Sequence, residues 1–176
     1  LELTFGELKE TPLGPISFVA GDAGMRQVSY APLMHVKTAE NIKASEPSLK
    51  GLETIGALLI EINEFLFGIR KSFSIDVDWS VLSAFQDEVL RMTSDIPYGE
   101  LMTYGEIADR LGKPGSARAV GRALGSNPMP IVIPCHRVIG SDSRLRGYTA
   151  PEGIKTKAFL LELEGHKIKD GRIVVR

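Results

Sequence analysis

Residues 103 to 125 constrain this chain more tightly than any other stretch. In "TYGEIADRLG", Thr103 can cap a helix while Glu106, three residues on, reaches back to complete a capping box, and Gly112 is placed to end the helix. After "KPG", the segment "SARAVGRALG" repeats the plan, with Ser116 as N-cap and Gly125 at the C-terminal end. Two short helices joined by a tight glycine-containing turn form a helix-turn-helix signature, a pattern that generic helix pairs share. Val120, Ala123 and Leu124 make the core stripe of the second helix, while Ala117 and Gly121 leave a nearly bare strip beside Arg118 and Arg122. A small-residue strip serves close packing of helices or the approach of another backbone. Flanking arginines are awkward in a dry helix interface.

Charge is unevenly spread. The net charge of -1 and pI near 6.4 look wrong for a nucleic-acid binder. Yet residues 1–78 carry seven Lys/Arg against eleven Asp/Glu, whereas residues 110–146 carry seven Lys/Arg against Asp142 alone. A solvated face would explain such a run, and so would an anionic partner. The second helix has no Asn or Gln placed to read adenines, so any nucleic-acid contact should be mostly to phosphates, with weak sequence preference.

The rest of the chain reads as two textures. "LELTFGELKETPLGPISFVAGDAGMRQVSYAP" predicts strands and a hairpin, with "GDAG" as the tight turn. Ile55, Leu58, Leu59, Ile62 and Leu66 recur at helical spacing and predict a helix over 53–70 that covers the sheet, followed by a strand at "SFSIDVD". From Trp79 the texture changes to short helices, the first over "SVLSAFQDEVLRMTSDI" through Val81, Phe85, Val89, Leu90 and Ile96. The fold class is therefore an α/β domain over 1–78 followed by a mostly helical domain over 79–176 that contains the helix-turn-helix. A hydrophobic content of 43% is enough for real cores.

"NPMPIVIPCHRVIG", residues 127–140, holds the only cysteine, Cys135, inside the positive segment. A buried small hydrophobe is the ordinary reading of a free cysteine; a nucleophile is the other. One Cys and three His (His35, His136, His166) cannot supply a zinc cluster, so no metal is expected. With no signal peptide and no apolar membrane span, an intracellular, reducing location is expected, and the absence of Met at position 1 suggests a trimmed start.

The stretches "FQDEVL", "IPYGELMTYGEIA", "ARAVGRALGSNPMPIVIPCHRVIG", "GYT" and "LLELEGH" resemble the O6-alkylguanine-DNA alkyltransferases, or methylated-DNA-protein-cysteine methyltransferases. The resemblance runs from about Phe85 to His166 and centres on "PCHRV"; the amino-terminal half matches only loosely. It implies an RNase H-like α/β domain followed by a DNA-binding and catalytic domain. It also implies direct-reversal repair: an irreversible, stoichiometric transfer of an alkyl group from guanine O6, in double-stranded DNA, to Cys135. No cofactor or metal is implied, and the protein is expected to act as a monomer in the cytoplasm, or in the nucleus of a eukaryote.

By the same resemblance, Glu164 of "EGH" orients His136, which draws the proton from Cys135 through a water. Consecutive side chains of an extended segment point to opposite faces, which is why a bridging water is expected between Cys135 and His136. Arg118 is the finger that fills the place of the extruded base, with Ser116, Ala117, Ala119, Gly121 and Arg122 along the minor groove. Tyr104 assists flipping and hydrogen-bonds the base. The Cys135 and Val138 carbonyls accept from its amine, Pro130 and Tyr148 form apolar walls, and the Thr149 amide or hydroxyl stabilises the leaving O6. Asn127 is the hinge between helix and cysteine strand. After "GYT" the family commonly continues with small glycine-rich residues, whereas this chain reads "APEG", a departure that bears on the loop over the pocket and on substrate size.

Two other functions fit parts of the pattern. Alkyltransferase-like proteins bind alkylated DNA without catalysis, but they lack the reactive cysteine that "PCHRV" retains. A helix-turn-helix regulator would call for a base-reading helix and a dimer element, and neither is evident.

Overall fold

A computed structural model of the chain describes residues 2–36 and 47–174. Leu1, which suggested a trimmed start, lies outside them. The chain gathers into two compact units, Leu1–Val81 and Leu82–Arg176.

In the first unit β1 (Thr4–Leu8), β2 (Ile16–Gly21) and β3 (Gly24–Ser29) form an antiparallel sheet in the order β1-β2-β3. The "GDAG" turn closes the β2–β3 hairpin, pairing Gly21 with Gly24. Central β2 is buried along its whole length. Helix α1 (Leu49–Leu66) touches all three strands and buries Ile55, Leu58, Ile62 and Phe65. It is displaced from the expected 53–70 because its ends are set by caps rather than by the apolar stripe. The Ser48 hydroxyl accepts from the Gly51 amide at 3.0 Å and starts the helix early. Gly68, at φ 73°, ends it as its amide donates to the Phe65 carbonyl and that of Ile69 to Glu64.

The expected strand at "SFSIDVD" does not form as a ladder. One parallel bridge joins Met25 to Val77, through Met25 N to Asp76 O at 2.8 Å and Asp78 N to Met25 O at 2.9 Å. The reason lies in side chains: buried Glu61 of α1 takes both the Ser74 amide, at 2.8 Å, and the Ser74 hydroxyl, so this backbone donor goes to a carboxylate instead of a neighbouring strand.

Helix α2 (Ala84–Ser94), in the second unit, is shorter than "SVLSAFQDEVLRMTSDI" suggests, because Trp79–Val81 forms a separate 3₁₀ turn at the end of the first unit. Strand β4 (Met102–Thr103) leads directly into α3 (Tyr104–Arg110), with both halves of the capping box present: Glu106 N to Thr103 Oγ1 at 3.2 Å and Thr103 N to Glu106 Oε2 at 2.6 Å. Gly112, at φ 68°, ends that helix. Helix α4 (Ala117–Gly125) packs on α2 and α3 through Val120, Ala123 and Leu124. Ser116 occupies its N-cap position but makes no capping hydrogen bond; Gly125 is the last residue of the helix, as expected, and Ser126 follows as its C-cap. The remaining elements are β5 (Val138–Ile139), parallel to β4, then α5 (Ile154–Leu163) and the pair β6 (Ile168–Lys169) and β7 (Arg172–Ile173).

One glycine of the first unit has a sharp requirement. Gly24 sits at φ 117°, and a Cβ there would collide with the Asp76 carbonyl oxygen that bonds to Met25. Gly24→Ala should therefore destabilise the chain by about 1–3 kcal/mol. Chemical denaturation with the first unit as the readout checks this; an unchanged midpoint would show that the 72–78 segment is free to shift.

Candidate active site

Cys135 begins a 3₁₀ turn, Cys135–Arg137, that continues into β5. The extended geometry expected at Cys135 and His136 is thus not observed, because Pro134 leads into a turn closed by Arg137 N to Pro134 O at 2.9 Å. All three residues of the turn are buried, and α2 and α5 both pack on it. The two-residue pairing of β4 with β5 sets Met102 beside Val138 and Thr103 beside Ile139. The residue that caps α3 is therefore tied to the strand that follows the cysteine. Tyr104, the next residue, is carried into the cysteine's pocket.

That pocket is lined by Tyr104, Asn127, Pro130, Cys135, Tyr148 and Thr149 together with residues of α4. Its free volume is about 20 Å³, room for a single water but not for a purine. The Thr149 hydroxyl donates to the Gly125 carbonyl at 2.6 Å, joining two of the walls. Val138 lies outside the lining, and its carbonyl accepts from Lys157 Nζ at 2.5 Å. A groove of about 860 Å³ adjoins the pocket, with Tyr104, Ala117, Arg118, Gly121 and Arg146 among its walls. Arg118 and Arg122 are exposed, while Ser116, Ala119 and Arg122 are not part of the groove's lining.

Asn127 does more than join helix to strand. Its Nδ2 donates to Cys135 Sγ at 3.2 Å and to Ile133 O at 3.0 Å, and its Oδ1 accepts from Met129 N at 3.0 Å. It braces a segment in which buried Ile131 takes φ 73°, a costly conformation for a β-branched residue.

Behind the cysteine lies a buried carboxylate. Glu164, at the C-cap of α5, receives His136 Nε2 at 2.9 Å, Arg137 Nε at 3.0 Å, Arg137 Nη2 at 2.9 Å and Gly99 N at 3.0 Å. Burial would raise its pKa, but the His136 and Arg137 hydrogen bonds outweigh this and hold it at about 2. Burial lowers the His136 pKa in spite of Glu164, so the imidazole is neutral at physiological pH. An ionised carboxylate only accepts, so Nε2 carries the proton and Nδ1 keeps the basic lone pair. Burial pushes the Cys135 thiol up, opposed by the Asn127 hydrogen bond and the Lys157 charge. Tyr104 is raised to about 12, chiefly by burial, and remains a phenol donor.

Two participants escape a reading by motif alone. Arg137 shares Glu164 with His136, and its Nη1 also donates to Ile96 O at 2.5 Å. Lys157 is 1% exposed, its pKa lowered by burial to about 8. Its Nζ joins the Val138 carbonyl to that of Arg146, at 3.3 Å, and lies 5.8 Å from the centre of the Tyr104 ring. The available signal was spacing: Lys157 precedes Leu160 and Leu161 by three and four residues, which puts it on the buried face of α5. Among the described residues, no group of three or more His, Cys, Asp or Glu is placed to hold a metal, and no helix is long and apolar enough to cross a membrane.

The chain is similar to known proteins in sequence and in fold. Residues 84–166 match the family model for the 6-O-methylguanine DNA methyltransferase DNA-binding domain. The methylated-DNA–protein-cysteine methyltransferase of Methanosarcina acetivorans is 36% identical over 156 residues, 89% of this chain and 95% of that protein. A crystal structure of Mycobacterium tuberculosis O6-methylguanine methyltransferase superposes with a TM-score of 0.76 at 32% identity, covering 92% of each chain. A structure of the M. tuberculosis protein in complex with DNA gives 0.74 at 34% identity over 91% of each. Related in sequence along nearly its whole length and in fold to these proteins, the chain belongs to the 6-O-methylguanine DNA methyltransferase family.

Proposed function

We propose that this protein is a methylated-DNA–protein-cysteine methyltransferase that repairs O6-alkylguanine in double-stranded DNA. The observation that carries the reading is the meeting of Cys135 and Tyr104 in one pocket, beside a groove walled by Arg118 and the small residues of α4. In this reading residues 79–176 are the DNA-binding and catalytic domain and residues 1–78 an RNase H-like domain, supported at a coarser level by the three-strand sheet and its helix.

The chemistry follows from the proton positions. The damaged base leaves the stack and Arg118 takes its place, offsetting an unstacking cost of a few kcal/mol. The pocket widens as its Tyr148–Thr149 wall gives way. Cys135 is a buried thiol at rest, so attack needs its proton removed; His136 Nδ1 takes it through one water, and Glu164 stabilises the imidazolium. Sγ then bonds to the alkyl carbon, the carbon–O6 bond breaks, and O6 keeps the electron pair while Tyr104 donates to the base. The thioether has no easy route back, so each molecule acts once. Ser116, Ala117, Ala119, Gly121 and Arg122 complete the minor-groove contacts. Asn127 holds Sγ in place, and Pro130, Tyr148 and Thr149 close around the base.

Incubation with O6-methylguanine duplex should add one methyl mass to the Cys135 peptide with no added cofactor, and Cys135→Ser should abolish transfer while retaining DNA binding. Multiple turnovers would overturn the mechanism. Arg118→Ala should react slowly with duplex but nearly normally with free O6-benzylguanine, which needs no flipping; equal losses on both would mean that Arg118 supports the pocket itself. The relay has a stability signature. The folded pKa of Glu164, about 2, lies below its ordinary 4.5, so its stabilisation is full above the higher value and fades as pH falls through the lower. Glu164→Gln should cost roughly 3 kcal/mol at pH 7, since Arg137 loses its partner, and should slow transfer. Thermal melts should show the gap to the parent narrowing as the medium is acidified across that window; a gap independent of pH would refute the ionised pair.

A further inference from the structure

The repair reaction as derived makes no use of the turn between β5 and the Tyr148 wall, yet that turn holds the one acidic residue in the positive segment 110–146. Its backbone is pinned. Gly140 N donates to Arg144 O and Ser143 N to Gly140 O, each at 2.9 Å, with Ser143 at φ 61°. Leu145 is buried against Ile139 and Leu161, and its amide donates to Gly171 O at 2.9 Å. Arg144 and Arg146 flank this anchored leucine with side chains 53% and 55% exposed. Of the two, Arg146 lines the groove that also holds Arg118 and Tyr104. Its charge favours the ionised form of the Tyr104 phenol, a mark of its nearness to the pocket.

Asp142 engages both arginines. Its Oδ2 accepts from Arg146 Nη2 at 2.9 Å and lies 3.7 Å from Arg144 Nε, while Oδ1 accepts from the Arg144 amide at 3.2 Å. We propose that Arg146 grips a DNA backbone phosphate in the groove, and that in the free protein the Asp142 carboxylate stands where that phosphate binds. The inference rests on the DNA-repair reading above. Carboxylate and phosphate offer a guanidinium the same kind of oxygen acceptor, so the exchange leaves Arg146 paired before and after. The ion pair is exposed and screened by solvent, which makes its release easy. Because the turn is held by backbone hydrogen bonds and by Oδ1, it survives the departure of Arg146. Asp142 thereby damps binding to undamaged DNA by competing for the clamp.

The test is binding of unmodified duplex, on which no transfer occurs, across a salt series. Arg146→Ala should bind more weakly, and its plot of log K against log salt should be shallower by about 0.9, the loss of one phosphate contact. Arg144→Ala, outside the groove, should keep the parent slope. Asp142→Asn keeps the Oδ1 acceptor and loses only charge; it should bind several-fold more tightly, a gain that no folding defect can produce. In the Arg146→Ala background the same change should add little, since the competition acts through Arg146. An unchanged slope for Arg146→Ala, or an equal gain from Asp142→Asn in both backgrounds, would overturn the proposal while leaving the repair reading intact. A parent protein without salt-dependent DNA binding would overturn both.

Discussion

The second unit depends on one buried carboxylate. Glu164 sits where α5 ends, and its two oxygens gather the 135–137 turn through His136 and Arg137 and the 97–100 turn through the Gly99 amide. Burying a charge is expensive, and a lone pair of ions would scarcely recover the cost. Here the carboxylate is saturated with donors and the guanidinium reaches the Ile96 carbonyl as well. The stability of the turn and the orientation of the imidazole thus come from the same interaction. The imidazole cannot be loosened without loosening the fold.

A second coupling runs through backbone. Thr103 ends β4, caps α3 and lies beside Ile139, so a ladder of two residues fixes the first helix of the helix-turn-helix against the strand that follows the cysteine. The Tyr104 hydroxyl and the thiol owe their common pocket to this short parallel pairing, since parallel strands need a long crossover and no local turn could bring residues 102 and 138 together. The α4 helix, packed on α3, then presents its small-residue strip at the mouth of the same pocket.

Electrostatics divides the buried cations by task. Arg137 is matched by a carboxylate and stabilises the resting arrangement. Lys157 meets only carbonyl oxygens and an aromatic face among its described contacts, and its charge favours a thiolate at Cys135. The two ionisations are therefore linked: a thiolate raises the affinity of Lys157 for its proton, and the ammonium eases loss of the thiol proton.

What the sequence determined by itself is local. The capping box at Thr103 and Glu106 and the glycine that ends α3 depend on neighbours a few residues apart, so they are legible in a string of letters; the "GDAG" hairpin and the apolar stripe of α1 are legible for the same reason. "PCHRV" pointed to the family, to which the chain belongs, because a motif of that kind is a compact record of a family's chemistry. Where distant groups compete for the same backbone, the letters fall short. The 72–78 segment looks like a strand but gives a donor to Glu61, Ser116 looks like a cap and makes no capping bond, and Cys135 lies in a 3₁₀ turn rather than an extended run. The tertiary structure alone decided that Asn127 would reach the sulfur, that Lys157 would join the Val138 and Arg146 carbonyls, and that Arg137 would share Glu164 with His136 across 27 and 28 residues of chain. Those pairings join groups that no local periodicity relates. They exist because burial leaves each polar group to find a partner in space, wherever that partner stands in the sequence.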